Sequence, residues 1–222
     1  MKKLITSILL IGMWAFSHAQ DTNRVVKTTG HVSVNGKNIN YEATTGFFAL
    51  KDNTGKAVAD IFFVAYTKND VSDVRKRPIT FVFNGGPGSS SAWLHMGAIG
   101  PMKVSTTEYG KTELPPKTFN LVNNDQCWLD ITDLVFIDPV GCGFSKPIGE
   151  EKTDKFYGYE NDIKTTGDFI NQWTSQNKRW GSPKFLAGES YGTTRACGVV
   201  DYLTDKYQMY FNGISLISCA LD

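Results

Sequence analysis

The sequence predicts an α/β fold in which helices flank a mostly parallel central sheet. Four short, continuous apolar runs have the composition of strands that are buried on both faces. Helical stretches lie between them, and strands that alternate with helices indicate parallel pairing. The runs cover residues 79–83, 134–137, 185–187 and 214–218.

Two helices and two hairpins complete the predicted elements. The helices cover about 160–176 and about 193–207, and the first has an apolar face. Residues 31–67 predict β-structure, with one hairpin turn at Asn35-Gly36 and a second turn at 52–55. Residues 100–126 are polar and contain Pro115-Pro116, which predicts a surface excursion. The apolar side chains on the first helix are Ile163, Phe169, Ile170 and Trp173.

The composition is that of an ordinary globular domain. The chain has 222 residues, of which 41% are hydrophobic and 20% are charged, with a net charge of +1. This balance gives no support for nucleic-acid binding, and the longest basic run, Arg75-Lys-Arg77, indicates a solvated turn.

The N-terminus predicts a secretory signal peptide. Met1-Lys-Lys is followed by a mostly apolar stretch from 4 to 16 and by small residues at Ser17 and Ala19. A membrane anchor is the weaker alternative, because the apolar run is shorter than about 18 residues. We therefore expect residues 1–19 to be removed and 20–222 to be exported. The destination would be the periplasm or the cell exterior, or a vacuole or lysosome in a eukaryote. No membrane association is expected after removal.

Four cysteines occur without a Cys-x-x-Cys spacing or a nearby histidine cluster, so neither zinc nor another cofactor is expected. Four cysteines allow three full disulfide pairings, and the sequence does not choose among them. Cys197 and Cys219 fall in a predicted helix and a predicted strand, which favours buried free thiols. The other two are Cys127 and Cys142.

Gly188-Glu-Ser-Tyr-Gly192 lies between a predicted strand and a predicted helix. A serine on such a strained turn is lifted out of the sheet, and the glycines allow the sharp bend. Ser190 is therefore the candidate nucleophile, and the backbone N–H of Tyr191 is a candidate oxyanion donor at the start of the helix. The alternative is an ordinary glycine-rich turn between a strand and a helix.

Asn84-Gly-Gly-Pro-Gly-Ser-Ser-Ser91 follows an earlier strand of the same predicted sheet. The serine turn needs a second oxyanion donor from such a loop, and we assign this role to the Gly86 N–H. A phosphate-binding loop is the alternative, but the Gly-x4-Gly-Lys-Ser/Thr pattern is absent.

These two motifs together resemble the serine carboxypeptidases, which are secreted or vacuolar α/β-hydrolases. Asp138-Pro-Val-Gly-Cys-Gly-Phe-Ser145 is similar to a third segment of that family, and Gly100-Pro101 matches a fourth point. The resemblance runs from about Ile79 to the end of the chain. It implies peptide or small-protein C-termini as substrates and an acyl-enzyme on Ser190.

The resemblance also assigns roles to individual residues. It implies that Gly86 and Tyr191 form the oxyanion hole and that Asn84 and Glu189 bind the C-terminal carboxylate of the substrate. Such a pair of carboxyl groups shares a proton, which favours acidic working pH. Without the resemblance, Glu189 could equally be an acid that complements the dipole of the following helix.

One position departs from the family pattern. The family has a second glutamate two residues before the Gly-Pro, where this chain has Ala98. We therefore expect weaker or differently built carboxylate recognition, with selectivity extending to other peptides or esters. His95 and His31 precede Ser190, whereas the catalytic base follows the serine in this fold, so we expect His95 to pack near the loop.

No histidine follows Ser190, and the acids after it are Asp201, Asp205 and Asp222. The first two fall on the helix after the serine and are expected to be solvated, and Asp222 comes too early for the triad acid. The sequence thus predicts the N-terminal portion of one α/β-hydrolase domain, truncated after the strand that follows the serine turn. That strand would have an open apolar edge.

We expect these 222 residues alone to lack Ser190-dependent peptidase activity. The alternatives are an acyltransferase or esterase on the same scaffold, or a non-catalytic peptide-binding protein. The oligomeric state is not predicted.

Overall fold

The computed structural model describes residues 24–105 and 120–219. The predicted signal peptide and Asp222 lie outside these residues. The described part contains a mixed sheet flanked by helices, which confirms the predicted α/β class. Its strands are β1 (Arg24–Val34), β2 (Lys37–Lys51), β3 (Ala57–Lys68), β4 (Ile79–Phe83), β5 (Met102–Val104), β6 (Leu121–Asn123), β7 (Asp133–Ile137), β8 (Lys146–Pro147), β9 (Lys184–Glu189) and β10 (Gly213–Ile217). The α-helices are α1 (Ala92–Leu94), α2 (Tyr159–Gln176) and α3 (Tyr191–Tyr207).

The strand order in the main sheet is β1-β2-β3-β7-β4-β9-β10, and β8 pairs with β3. Strands β7, β4, β9 and β10 are parallel, so their carboxyl ends meet at one edge. The first three strands pair antiparallel through the two predicted turns. The sequence predicts two separate hairpins in this region, but the structure has β2 as one strand of 15 residues shared by both.

Side-chain alternation along β4 explains why the central strands are buried on both faces. Ile79, Phe81 and Phe83 pack into the core beneath α2 and α3, whereas Val82 packs into a second core on the opposite face. The apolar face predicted for α2 is confirmed, because all four of its side chains are buried against the first of these cores. The packing therefore fixes both helices on one face of the sheet.

A buried carboxylate joins α2 to α3. Asp168 accepts hydrogen bonds from the hydroxyls of Tyr202 and Tyr207, both at 2.7 Å, and from Lys164 Nζ at 2.6 Å. Burial would raise the pKa of Asp168, but these three donors outweigh it and the pKa is lowered. The contact fixes α3, whose first residue belongs to the candidate site.

The sequence made three predictions about the surface, which concern the aspartates on α3, the segment 100–126 and the outer edge of β10. Asp201 and Asp205 are exposed on α3, as predicted. The excursion at 100–126 includes the short antiparallel pair β5–β6, and its central residues lie outside the described part. In the described part no strand pairs with the outer edge of β10, where Ile214 and Leu216 are exposed.

The prediction of buried thiols at Cys197 and Cys219 is wrong, because both are exposed. Cys197 lies on α3 beside the buried stripe of Val199 and Leu203 rather than on it. Cys219 lies beyond the end of β10. Cys127 and Cys142 are buried instead, and all four thiols are free.

Candidate active site

Ser190 is the single residue between the end of β9 and the start of α3. Its backbone has φ 56° and ψ −124°, a conformation that a residue with a side chain rarely adopts. Two hydrogen bonds hold it there: the Ser190 N–H donates to Ile217 O at 3.0 Å, and the Thr193 N–H donates to Ser190 O at 2.9 Å. The strained strand-to-helix turn predicted from the sequence is therefore present.

Glycine is required two residues before the serine, at Gly188. A Cβ on Gly188 would lie 2.1 Å from the carbonyl oxygen of Gly192, one turn further along. Any side chain would push α3 away from β9 and displace Ser190. The first position of the Gly-x-Ser-x-Gly pattern thus has a packing reason in this chain. At the last position, a Cβ on Gly192 would lie 3.1 Å from Phe83 O, a tight but less severe contact.

The glycine-rich loop after β4, residues 84–91, lies directly against this turn. A Cβ on Gly85 would be 2.5 Å from the backbone nitrogen of Tyr191, so the two segments touch through their main chains. Gly86 has φ +107°. Within 24–105 and 120–219, neither the Gly86 N–H nor the Tyr191 N–H donates to a protein oxygen. Both N–H groups therefore remain candidate oxyanion donors.

Asn84 and Glu189 form a polar pair beside the serine. Asn84 Nδ2 donates to Glu189 Oε2 at 3.0 Å. The Leu94 N–H donates to Asn84 Oδ1 at 3.1 Å, which fixes the orientation of the amide. Because an amide nitrogen has two hydrogens, Asn84 keeps a second donor beyond Glu189.

The structure brings four of the five predicted site residues into one cleft of about 390 Å³. Tyr191 does not line this cleft, but its backbone nitrogen touches the glycine-rich loop at Gly85. The cleft is lined by Asn84, Gly86, Ser89, Trp93, Leu94, Glu189 and Ser190. The candidate nucleophile, a candidate oxyanion donor and a carboxylate–amide pair thus face the same space.

The Asp138 segment anchors the glycine-rich loop from behind. Asp138 Oδ1 accepts hydrogen bonds from the Ser91 N–H at 2.8 Å and the Ser91 hydroxyl at 3.0 Å. A Cβ on Gly143 would lie 1.9 Å from Asp138 Oδ2, so the segment closes tightly around the carboxyl group. Burial raises the pKa of Asp138 even though both Ser91 donors oppose the shift. The segment therefore positions the loop and does not line the cleft.

Ala98 and the two described histidines lie outside the cleft. Ala98 is exposed on a short π-helix, His95–Ile99, and its carbonyl accepts from Asn124 Nδ2 at 2.7 Å. His31 is exposed on β1. His95 hydrogen-bonds to the Tyr66 hydroxyl at 2.8 Å and stacks on Phe136 with ring centroids 4.4 Å apart. His95 thus packs near the loop, as expected.

Burial lowers the pKa of His95 to about 4, and this makes stability depend on pH. The unfolded chain binds a proton near pH 6.5, whereas folded His95 stays neutral until about pH 4. The free energy of unfolding should therefore fall as the pH drops through this window, by about 3 kcal/mol from this group. Urea titrations from pH 7 to 4 on wild type and His95→Gln should show that this part of the pH dependence is lost in the variant. His31→Gln is the matched control, and an equal loss in that variant would contradict the assignment.

Two pairs of side chains that support the candidate site were not predicted from the sequence. The Ser91–Asp138 contact joins residues 47 positions apart, and neither side chain has a local signal for it. Arg195, which is fully buried on α3, and its partner Asp162 were also missed. The one available signal was the spacing of Arg195 with Val199 and Leu203, which places a charge on the buried stripe of the helix.

In the part of the chain that the structure describes, no group of three or more His, Cys, Asp or Glu residues could hold a metal ion. Of the helices in 24–105 and 120–219, none has the length and apolarity to cross a membrane.

The fold is that of the α/β-hydrolase class, with Ser190 on the turn between β9 and α3. The structure is similar to that of KEX1(delta)p, a prohormone-processing carboxypeptidase from Saccharomyces cerevisiae. The TM-score is 0.65 at 24% identity, over 82% of this chain and 39% of that one. This similarity concerns the fold alone.

The family model for serine carboxypeptidase matches residues 34–220, so the chain belongs to the serine carboxypeptidase family. The relatives that the chain matches include the following two proteins from Arabidopsis thaliana. Serine carboxypeptidase-like 29 is 27% identical over 85% of this chain and 37% of its own length. Serine carboxypeptidase-like 20 is 31% identical over 66% of this chain and 28% of its own length. The chain thus spans about a third of the length of these relatives.

Proposed function

We propose that the full-length protein containing this chain removes C-terminal residues from peptides through an acyl-enzyme on Ser190. In this reaction Ser190 Oγ attacks the carbonyl carbon of the last peptide bond while a base takes its proton. The C–N bond then breaks, the departing amine takes a proton, and water hydrolyses the ester. The Gly86 and Tyr191 N–H groups would bind the oxyanion of both tetrahedral intermediates.

The observation that carries the proposal is the Asn84–Glu189 pair in the cleft of Ser190. An endopeptidase has no need of a carboxyl-binding group next to its nucleophile. Here the second hydrogen of the Asn84 amide is available to a carboxylate. A protonated Glu189, or a protonated substrate carboxyl group, would provide a further hydrogen bond.

The proposal places the general base outside the described residues. Neither His31 nor His95 lines the cleft, and His95 is held by Tyr66 and Phe136. A chain confined to these 222 residues would therefore lack Ser190-dependent turnover. Ser190→Ala-sensitive hydrolysis by the 222-residue chain would contradict this expectation.

Release of the C-terminal residue from a peptide substrate tests the activity directly. The full-length protein is given a blocked dipeptide as the free acid and as the C-terminal amide, and the released products are quantified. We expect cleavage of the free acid, with only a modest preference over the amide, because Ala98 replaces the second glutamate. A strong preference for the acid would refute the expectation that recognition of the substrate carboxylate is relaxed. Failure to cleave the acid would refute the proposed carboxypeptidase activity.

Glu189→Gln should change the preference between the free acid and the amide. In the wild type, the Glu189 carboxylate lies beside the place proposed for the substrate carboxylate, and two like charges side by side repel each other. Glutamine removes one charge and its amide can donate, so KM for the free acid at pH 7 should fall by about tenfold. The amide substrate is the control, because its KM should change little. An unchanged KM for the free acid in Glu189→Gln would contradict the role of Glu189.

A second candidate is an acyltransferase or esterase that uses the same acyl-enzyme. What favours it is that Ala98 stands where the resemblance to the family implies a second glutamate, although Ala98 itself does not line the cleft. The same assay distinguishes the three possibilities. Transfer to an added alcohol or amine faster than hydrolysis would support the acyltransferase, and peptide affinity without turnover would support a binding protein.

A further inference from the structure

Arg195 is a fully buried arginine on α3, five residues after Ser190. Its Nη1 donates to Asn84 O at 2.6 Å, and its Nη2 donates to Pro87 O at 3.0 Å. Its Nε donates to both carboxylate oxygens of Asp162, at 2.8 and 3.0 Å. One side chain of the nucleophile helix therefore contacts both the glycine-rich loop and the first turn of α2.

The two carbonyl acceptors lie on either side of Gly85 and Gly86. A guanidinium is a rigid planar fork, so binding two carbonyls at once fixes their separation and orientation. The glycines between them have no side chains to restrain their backbone. The fork thus adds a restraint on this stretch of the loop, separate from the Ser91–Asp138 contact further along it.

The guanidinium is also held on its other sides. Its central carbon lies 5.1 Å from the centre of the Tyr191 ring and 5.4 Å from that of Phe83. Burying an ion pair gives little net stability, because the desolvation cost of both charges offsets their attraction. The geometry therefore favours a role in fixing the loop over a role in holding the fold together.

We propose that Arg195 is a positioning residue, which sets the Gly86 N–H opposite the Tyr191 N–H by tying the glycine-rich loop to the nucleophile helix. Asp162 orients the fork and neutralises its charge. This inference rests on the proposed function, because it needs an oxyanion at Ser190. Arg195 itself touches neither the substrate nor the reacting atoms.

The test compares Arg195→Lys with Arg179→Lys in the full-length protein. Arg179 is the matched control, since it is equally a buried arginine, paired with Asp133 and donating to a backbone carbonyl. Its contacts lie near the starts of β4 and β7, at the opposite end of the parallel strands from Ser190. A lysine at either position keeps the charge and loses the fork.

For Arg195→Lys we expect kcat per folded molecule to fall by about 10- to 100-fold, with KM within about threefold, as for a partly lost oxyanion donor. Affinity for a peptide boronic acid, which forms a tetrahedral adduct with the serine, should fall in parallel. Affinity for the cleaved peptide product should not. Arg179→Lys should lose thermal stability alone.

A kcat within twofold of wild type in Arg195→Lys, or a loss confined to KM, would overturn the inference. Should Arg195→Lys fail to fold, the double variant Asp162→Asn/Arg195→Gln carries the same expectation without an unpaired buried charge. Absence of Ser190-dependent turnover in the wild type would overturn the proposed function, and this inference with it. Turnover in the wild type with equal turnover in the Arg195 variants would overturn the inference alone.

Discussion

Ser190→Ala in the full-length protein should lower kcat by about 10⁴-fold or more, with little change in substrate binding. The reason is that no covalent intermediate can form without the hydroxyl. Alanine should occupy the φ 56° position at a cost similar to that of serine, so the fold should persist. Release of a C-terminal amino acid from a blocked dipeptide measures the loss, and circular dichroism checks the fold.

Ser89→Ala is the matched control for this substitution. Ser89 lines the same cleft, but it lies in the glycine-rich loop and not on the strained turn. The Ser89 hydroxyl takes part in no step of the proposed reaction, so activity should stay within about tenfold of wild type. Comparable losses in both variants would contradict the assignment of the nucleophile to Ser190.

Gly85→Ala should lower activity by about 10²-fold or more, which is the effect of losing an oxyanion donor. The added methyl group would lie 2.5 Å from the Tyr191 nitrogen and 2.6 Å from the Glu189 carbonyl oxygen. These atoms are backbone and cannot rotate away, so the loop must move off the serine turn. Such a movement separates Gly86 from Tyr191, and kcat should therefore fall more than KM rises.

Gly88→Ala, three residues further along the same loop, provides the comparison. A Cβ at Gly88 would meet nothing within 4 Å, and its φ does not require glycine. We expect its kcat and KM to match those of wild type. If the two variants behaved alike, close contact between loop and turn would not be what the reaction requires.

The fold was predictable wherever the signal was local. The run at 79–83 is continuous and apolar, and it forms a strand buried on both faces. The pairing of distant segments left no such signal. Strand β2 continues across two apparent hairpins because its residues 37–47 pair with β1 and its residues 41–51 pair with β3, so the two pairings overlap. Cys197 was misplaced because residue type was used where its helical position decided exposure.

The sequence predicted the residues that line the candidate site, but it did not predict the side chains that hold those residues in place. The serine turn and the glycine-rich loop have short patterns, because backbone geometry demands glycine at fixed positions. The supports behind them, Ser91 with Asp138 and Arg195 with Asp162, join side chains from separate segments. Many residue pairs could make such contacts, and only the tertiary structure selects among them.

Covalent labelling tests the central claim most directly. The full-length protein is treated with a fluorophosphonate, which reacts with activated serines, and the adduct is located by mass spectrometry of its peptides. We expect one adduct, on Ser190 in the peptide containing Gly188-Glu-Ser-Tyr-Gly192, and none in Ser190→Ala. No adduct, or an adduct on a different serine, would contradict it.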